Sequence, residues 1–257
     1  MKSERLVACV LASALTASVG SAQQAAPAGP TAPSVNPVDP ASIQAVKDMG
    51  AYLLTLSRFR ASTTLTGERV LADGQKLMHT AQATLDAQRP NKLRARMWSA
   101  RSERELFYDA KTVTLYAPAQ KYYSSVAFSE PLSVLIDELE ERYGVQVPMA
   151  DLFTWGTPAA PVDKIESAMN AGQDLVEGTL CDHYAFRQGT VDWQIWIATG
   201  AQPLPRKVAI TNLGDEARPQ SVSVIDWDLK PSFKESTFRF DPPKGATRIE
   251  IVPVKPR

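Results

Sequence analysis

The 257-residue chain has only two cysteines and two histidines. So few cysteines exclude a disulfide-dense scaffold. So few histidines leave little material for a histidine-rich metal centre. Neither sign of charge is in excess, because 28 basic residues balance 28 acidic ones. A broad electrostatic footprint for nucleic acid is therefore not expected. No glycine-rich phosphate loop, HExxH or GxSxG pattern occurs. Past the N-terminus, no apolar run approaches the roughly 20 residues of a membrane helix. What is present is a 44% apolar composition, enough for a real core in one large domain or two small ones.

Residues 1–22 read as a secretory signal. Lys2 and Arg5 give a positive start, and an apolar and small-residue run follows from Leu6 to Val19. Gly20, Ser21 and Ala22 supply small residues for cleavage after Ala22, which predicts an exported, periplasmic protein. Leu6-Val7-Ala8-Cys9 mimics a lipidation box, but no apolar segment precedes it, so lipidation of Cys9 is not expected. Cleavage would leave Cys181 alone, as a buried and inert thiol. Residues 23–38 carry Pro27, Pro30, Pro33 and Pro37 among Ala, Gly and Ser. Such a segment buries too little to offset its ordering entropy, and reads as a flexible linker. A single domain is expected over 39–257.

That domain opens with Asp39 as N-cap and Pro40 at the first helical position. Ile43, Val46, Met49, Gly50, Leu53 and Leu56 then follow helical spacing. From Phe59 the period becomes two. Strands are expected over 59–70, 75–88, 92–98, 104–108, 112–117 and 121–127. The tight hairpin at Asp109-Ala110-Lys111 would place Ala110 at positive φ in a type I′ turn, at some cost. Leu132, Leu135, Ile136, Leu139 and Tyr143 mark one face of a helix over 131–143, with Gly144 as its stop. Residues 149–155 suit a second short helix, and 156–171 a loop or irregular helix. Strands return over 173–187, 191–199, 204–212, 219–229, 235–241 and 246–252.

Turns every 8 to 15 or so residues favour an antiparallel sheet over βαβ units. The later strands are one-sided: Trp193, Ile195 and Ile197 oppose Asp192, Gln194 and Trp196, and Phe238 and Phe240 alternate with Thr237, Arg239 and Asp241. One face is therefore apolar and one wet. A sheet of about ten such strands should curl rather than stay flat. Helices must cover the inner face, and they are short for that area. Periodicity leaves two interiors open: a fully packed core, or a cavity that would suit an acyl chain.

Three groups could carry chemistry. Cys181 and His183 share a strand face at a spacing that permits a thiolate–imidazole pair or half a zinc site. The remaining ligands are missing, so no metal or cofactor is expected. Asp226 and Asp228 put two carboxylates on one face, the material of acid–base hydrolysis. Tryptophans at 155, 193, 196 and 227 could stack a ligand or simply pack.

Arg89-Pro90 with Leu93-Arg94, Phe107-Tyr108-Asp109 and Leu115-Tyr116-Ala117-Pro118 resembles the first half of LolA/LolB-like periplasmic lipoprotein carriers. Further motifs resemble, more specifically, a related uncharacterised family of predicted periplasmic proteins. They are Glu141-Arg142-Tyr143-Gly144, Pro148-Met149-Ala150-Asp151-Leu152, Gly178 with Cys181-Asp182-His183, Asp192-Trp193-Gln194-Ile195-Trp196-Ile197, Pro203-Leu204-Pro205-Arg206-Lys207 and Phe240-Asp241-Pro242-Pro243-Lys244-Gly245-Ala246. The resemblance spans about 40–255. It implies an α+β fold, a curved unclosed β half-barrel of 10–11 strands under a helical lid, with an apolar groove.

Leu93, Met97 and Leu115 would line that groove in the first half, and Leu135, Leu139 and Trp155 from the helical part. Trp193, Ile195, Ile197, Val208, Ile210, Phe238 and Phe240 would line it in the second half. The expected role is non-enzymatic binding of a lipid acyl chain or a lipidated protein. A cell-envelope interaction or sensor module with a packed interior, and a hydrolase built on His183 or Asp226, stand as alternatives.

Overall fold

A computed structural model describes residues 37–253. The expected signal segment, Cys9 and nearly all of the 23–38 linker lie outside the described residues. Helix α1 (Pro40–Thr55) starts where Asp39 accepts hydrogen bonds from the Ala41 and Ser42 amides at 3.2 and 3.0 Å. Its inward stripe is Ser42, Val46, Met49, Gly50 and Leu53. Just before it, Val38 forms an isolated parallel bridge with Ala168.

Six strands follow as a meander: β1 (Arg58–Val70), β2 (Lys76–Gln88), β3 (Lys92–Trp98), β4 (Glu103–Tyr108), β5 (Thr112–Ala117) and β6 (Tyr122–Ala127). Helix α2 (Leu132–Tyr143) then crosses the sheet, burying Leu132, Leu135, Ile136 and Leu139. Gly144 ends it at φ 63°, where a glycine escapes the Cβ penalty of the left-handed region. A second meander comprises β7 (Ser167–Val176), β8 (Thr179–Gln188), β9 (Val191–Ala198), β10 (Pro205–Asn212) and β11 (Gln220–Asp228). The short β12 (Thr247–Arg248) runs parallel to β6.

All twelve strands join one sheet in the order β12-β6-β5-β4-β3-β2-β1-β11-β10-β9-β8-β7. The two meanders meet where β1 pairs antiparallel with β11. The sheet is curved, mostly antiparallel and not closed into a barrel, because β12 and β7 end it unpaired with each other.

Strand alternation separates two faces. The inner face carries Ala61, Leu85, Ala95 and Leu106 in one cross-strand row. It forms a continuous core with both helices. The outer face carries Arg60 and Asp86 in the adjacent row, joined as a bidentate pair.

The structure departs from the sequence expectation in the second half. The single strand expected over 173–187 is two, β7 and β8, folded at Glu177 (φ 46°) and Gly178 (φ 79°). The turn carries no Asn-Gly or Asp-Gly pair, so the two strands read as one. The loop expected over 156–171 ends early, because β7 starts at Ser167. The helix expected over 149–155 is a single 3-10 turn, Ala150–Phe153. No strand occupies 235–241: Glu235–Thr237 is a 3-10 turn followed by irregular chain. Of 246–252, only Thr247–Arg248 pairs. Phe238 and Phe240 copy a strand period without a ladder, and Pro242-Pro243 offers no amides to build one.

At the β4–β5 hairpin, Ala110 takes φ 76° and Lys111 does not follow it. One left-handed residue therefore replaces the two of a type I′ turn. The Asp109 carboxylate accepts from the Lys111 and Thr112 amides at 3.0 and 2.8 Å and braces the bend.

Candidate functional site

The inner face is built from large and small side chains in different places. At the β9–β8 end, Trp193 stacks on Phe186 at 4.1 Å between ring centroids. Toward the centre, the floor is small: Ala81 and Ala83 on β2, Ser221 and Ser223 on β11. The register places Ala83 beside Thr63, and Ser223 between Leu65 and Val208. The roof above is carried on α1, α2 and residues 145–155. Small side chains below a fixed roof leave unfilled space.

Two apolar cavities result. One, of about 550 Å³, lies over β1, β2 and β9–β11 and is roofed by Met49, Ile136, Leu152 and Trp155. The other, of about 660 Å³, lies over β3–β6. Its far wall is the chain end after β12, Ile249 to Val252. Met97, Val145, Gln146, Val147 and Pro148 line both.

The roof is held by a backbone contact. A Cβ on Gly50 would sit 2.4 Å from the Gly156 amide nitrogen, and one on Gly156 would sit 2.4 Å from the Gly50 carbonyl oxygen. Gly156 also has φ 83°, so both positions require glycine. This clasp fixes Trp155, whose ring lies 5.5 Å from that of Trp193. Polar side chains also reach the smaller cavity, among them Thr63, Gln82, Gln188, Ser221 and Ser223. Thr63 is buried in the floor, and its Oγ1 has no hydrogen-bond partner. Glu140 and Asp151 line the mouth of the smaller cavity. Crowding by the surrounding protein pushes the Asp151 carboxyl above the usual range, and the Glu140 charge adds to the effect.

The expected groove residues divide into three groups. Trp155, Trp193, Ile195, Val208 and Ile210 line the smaller cavity, Leu115 lines the larger, and Met97 lines both. Leu93, Leu135, Leu139 and Ile197 are packed in the core that frames them. Phe238 and Phe240 lie on the other side of the sheet. Phe240 packs against Phe107, Tyr116 and Tyr123 on the outer face, at 5.1–5.3 Å. Phe238 is buried against Phe233, which sits over the Arg60 guanidinium. Residues 229–246 thus form a strap across the outer face, with Glu235 held 2.9 Å from Lys92.

The residues with catalytic potential also lie outside. The His183 ring stacks on Trp196 at 4.0 Å, and its Nε2 is 2.9 Å from Gln194 Oε1. The Trp196 indole donates to Asp174 at 2.9 Å, and Lys207 Nζ lies 4.2 Å over its ring. Cys181 is fully buried, and burial pushes its thiol pKa up, away from the reactive thiolate. Asp226 pairs with Arg206 at 3.5 Å. Among the described residues, no group of three or more His, Cys, Asp or Glu is placed to hold a metal ion. No described helix is long and apolar enough to cross a membrane.

The missed residues are the small ones. Ala83, Ser221 and Ser223 create the space, and the Gly50–Gly156 contact sets the roof. Alanine and serine on an inner-face strand position were the available signal, since a packed core would place larger side chains there.

The chain is similar, at low identity, to several solved structures. LprF from Mycobacterium bovis matches with TM-score 0.45 at 12% identity, covering 82% of this chain and 100% of its own. The Mycobacterium tuberculosis lipoprotein LppX matches with TM-score 0.46 at 11% identity, covering 76% and 98%. A LolA superfamily protein from Nitrosomonas europaea matches with TM-score 0.37 at 7% identity, covering 77% and 98%. No curated protein matches the sequence. The sequence pattern of one family, described as predicted periplasmic protein (DUF2092), matches residues 42–252, and the chain belongs to that family.

Proposed function

We propose that this protein is a non-enzymatic periplasmic carrier that holds an acyl chain, of a lipid or a lipidated protein, between sheet and roof. The observation that carries this reading is the unfilled apolar space of about 550 Å³ beneath Trp155. Each methylene moved from water against its apolar lining gains about 0.8 kcal/mol. The aromatic wall of Trp155 and Trp193 and the aliphatic floor of Val208 and Ile210 suit a flexible hydrocarbon. The outward placement of His183 and Asp226 removes them from any bound chain. Export by a cleavable signal ending at Ala22 fits the same compartment.

Native mass spectrometry of protein purified from the periplasm tests the reading. A co-purifying lipid mass that Trp193→Ala reduces at least tenfold is expected. Lipid-free protein that also takes up no palmitate in vitro would overturn it.

A further inference from the structure

The two cavities are separated by a fixed bar. Gly144 closes α2, with its amide bonded to Glu140 O at 3.0 Å and the Val145 amide to Leu139 O at 2.8 Å. The chain then crosses the inner face as residues 145–148 and turns at Met149, φ 58°. Val147, 8% exposed, belongs to the core. Gln146 is exposed and lines both cavities.

Volume sets the occupant. The cavities hold about 660 and 550 Å³. A methylene takes about the room of a water molecule, about 30 Å³, so each cavity has space for about 20. That is one long acyl chain per cavity. Residues 145–148 line both spaces, so one chain in each would flank that segment. Gln146, exposed to solvent, is the polar side chain common to both.

Resting on the carrier reading above, we propose that the ligand is a two-chain amphiphile that straddles residues 145–148, with one chain in each cavity and its polar junction at Gln146. The bar sets the number of chains and the cavity volumes set their length. A one-chain lipid fills one cavity, and a second molecule is needed for the other.

The test compares palmitic acid with dipalmitoylphosphatidylethanolamine on the full chain, read as bound stoichiometry by native mass spectrometry. The expected result is two palmitates or one two-chain lipid per protein. Ala117→Trp narrows the larger cavity, and Ile210→Trp narrows the smaller at a position 39% exposed. Each should lower palmitate binding to one and weaken the two-chain lipid at least tenfold. Leu115→Phe and Ser223→Phe repeat the two blocks in case either variant fails to fold. One palmitate on the unaltered protein, or two-chain binding within twofold in either folded variant, would overturn this inference and leave the carrier reading standing. Binding of neither probe would overturn both.

Discussion

The two faces of this sheet are covered in opposite ways. The outer face of the first meander is covered by the strap at residues 229–246, which lies directly on it. Phe240 fits among Phe107, Tyr116 and Tyr123, and Phe233 lies 5.9 Å over the Arg60 guanidinium. Large aromatic side chains interdigitate there, as in any protein interior. The inner face is covered by α1, α2 and residues 145–155, which pack on it through one continuous core and are joined by the Gly50–Gly156 contact. Where the floor is alanine and serine, the gap remains. Burial of apolar surface therefore does not by itself mark a binding site. The strap buries aromatic surface on the sheet, and the roof leaves apolar surface uncovered.

That contrast can be broken most severely at the roof. Gly50→Ala forces a Cβ against the Gly156 backbone, where no side-chain rotation relieves it. A loss of about 3 kcal/mol is expected from such overpacking, read by urea unfolding. The near-ultraviolet signal of Trp155 should change with it. A loss below about 1 kcal/mol would mean that the roof is not held there.

The strap offers the matching test on the other face. Phe240→Ala removes a partly buried ring from an aromatic cluster and should cost about 2 kcal/mol. Lipid uptake by the folded variant should stay unchanged, because the ring lies across the sheet from both cavities. A tenfold loss of uptake at preserved folding would dissolve the distinction between the faces.

Thr63 sharpens the account of the floor. Its buried hydroxyl has no partner, so Thr63→Val should stabilise the ligand-free protein by about 1 kcal/mol. The smallest effect is a pH dependence at the mouth. The Asp151 carboxyl lies above its ordinary value of 3.8, chiefly through burial. The folded state therefore holds that proton more tightly than the unfolded state does. The associated stability is full below pH 3.8 and declines as pH rises through the native value. Asp151→Asn should remove that decline from a series of melting curves taken between pH 3 and about pH 7.

Much of this architecture was legible in the sequence because its periods are clean. The capped start at Asp39-Pro40, the stripe of α1, the first meander and the Gly144 stop all follow from local chemistry acting on neighbouring residues. The second meander was harder. Leu175, Glu177 and Leu180 flank a turn that carries no Asn-Gly or Asp-Gly signal, so β7 and β8 read as one strand. Phe238 and Phe240 were misplaced for a related reason. Alternation reports that a residue is buried on one side, and it is silent on which side of which surface. The cavity itself was partly visible in Trp193, Val208 and Ile210. The bar at residues 145–148 and the Gly50–Gly156 clasp were not, because each depends on a contact between segments far apart in the chain.

Bromine quenches tryptophan fluorescence on contact, and this chain has five tryptophans, of which Trp155 and Trp193 line the proposed site. Titration with a bromine-labelled palmitate is therefore the most direct test of the central claim. Saturable quenching that disappears in the Trp155→Phe, Trp193→Phe double variant is the predicted result. Quenching that persists undiminished in that variant, or none in the unaltered protein, would contradict it.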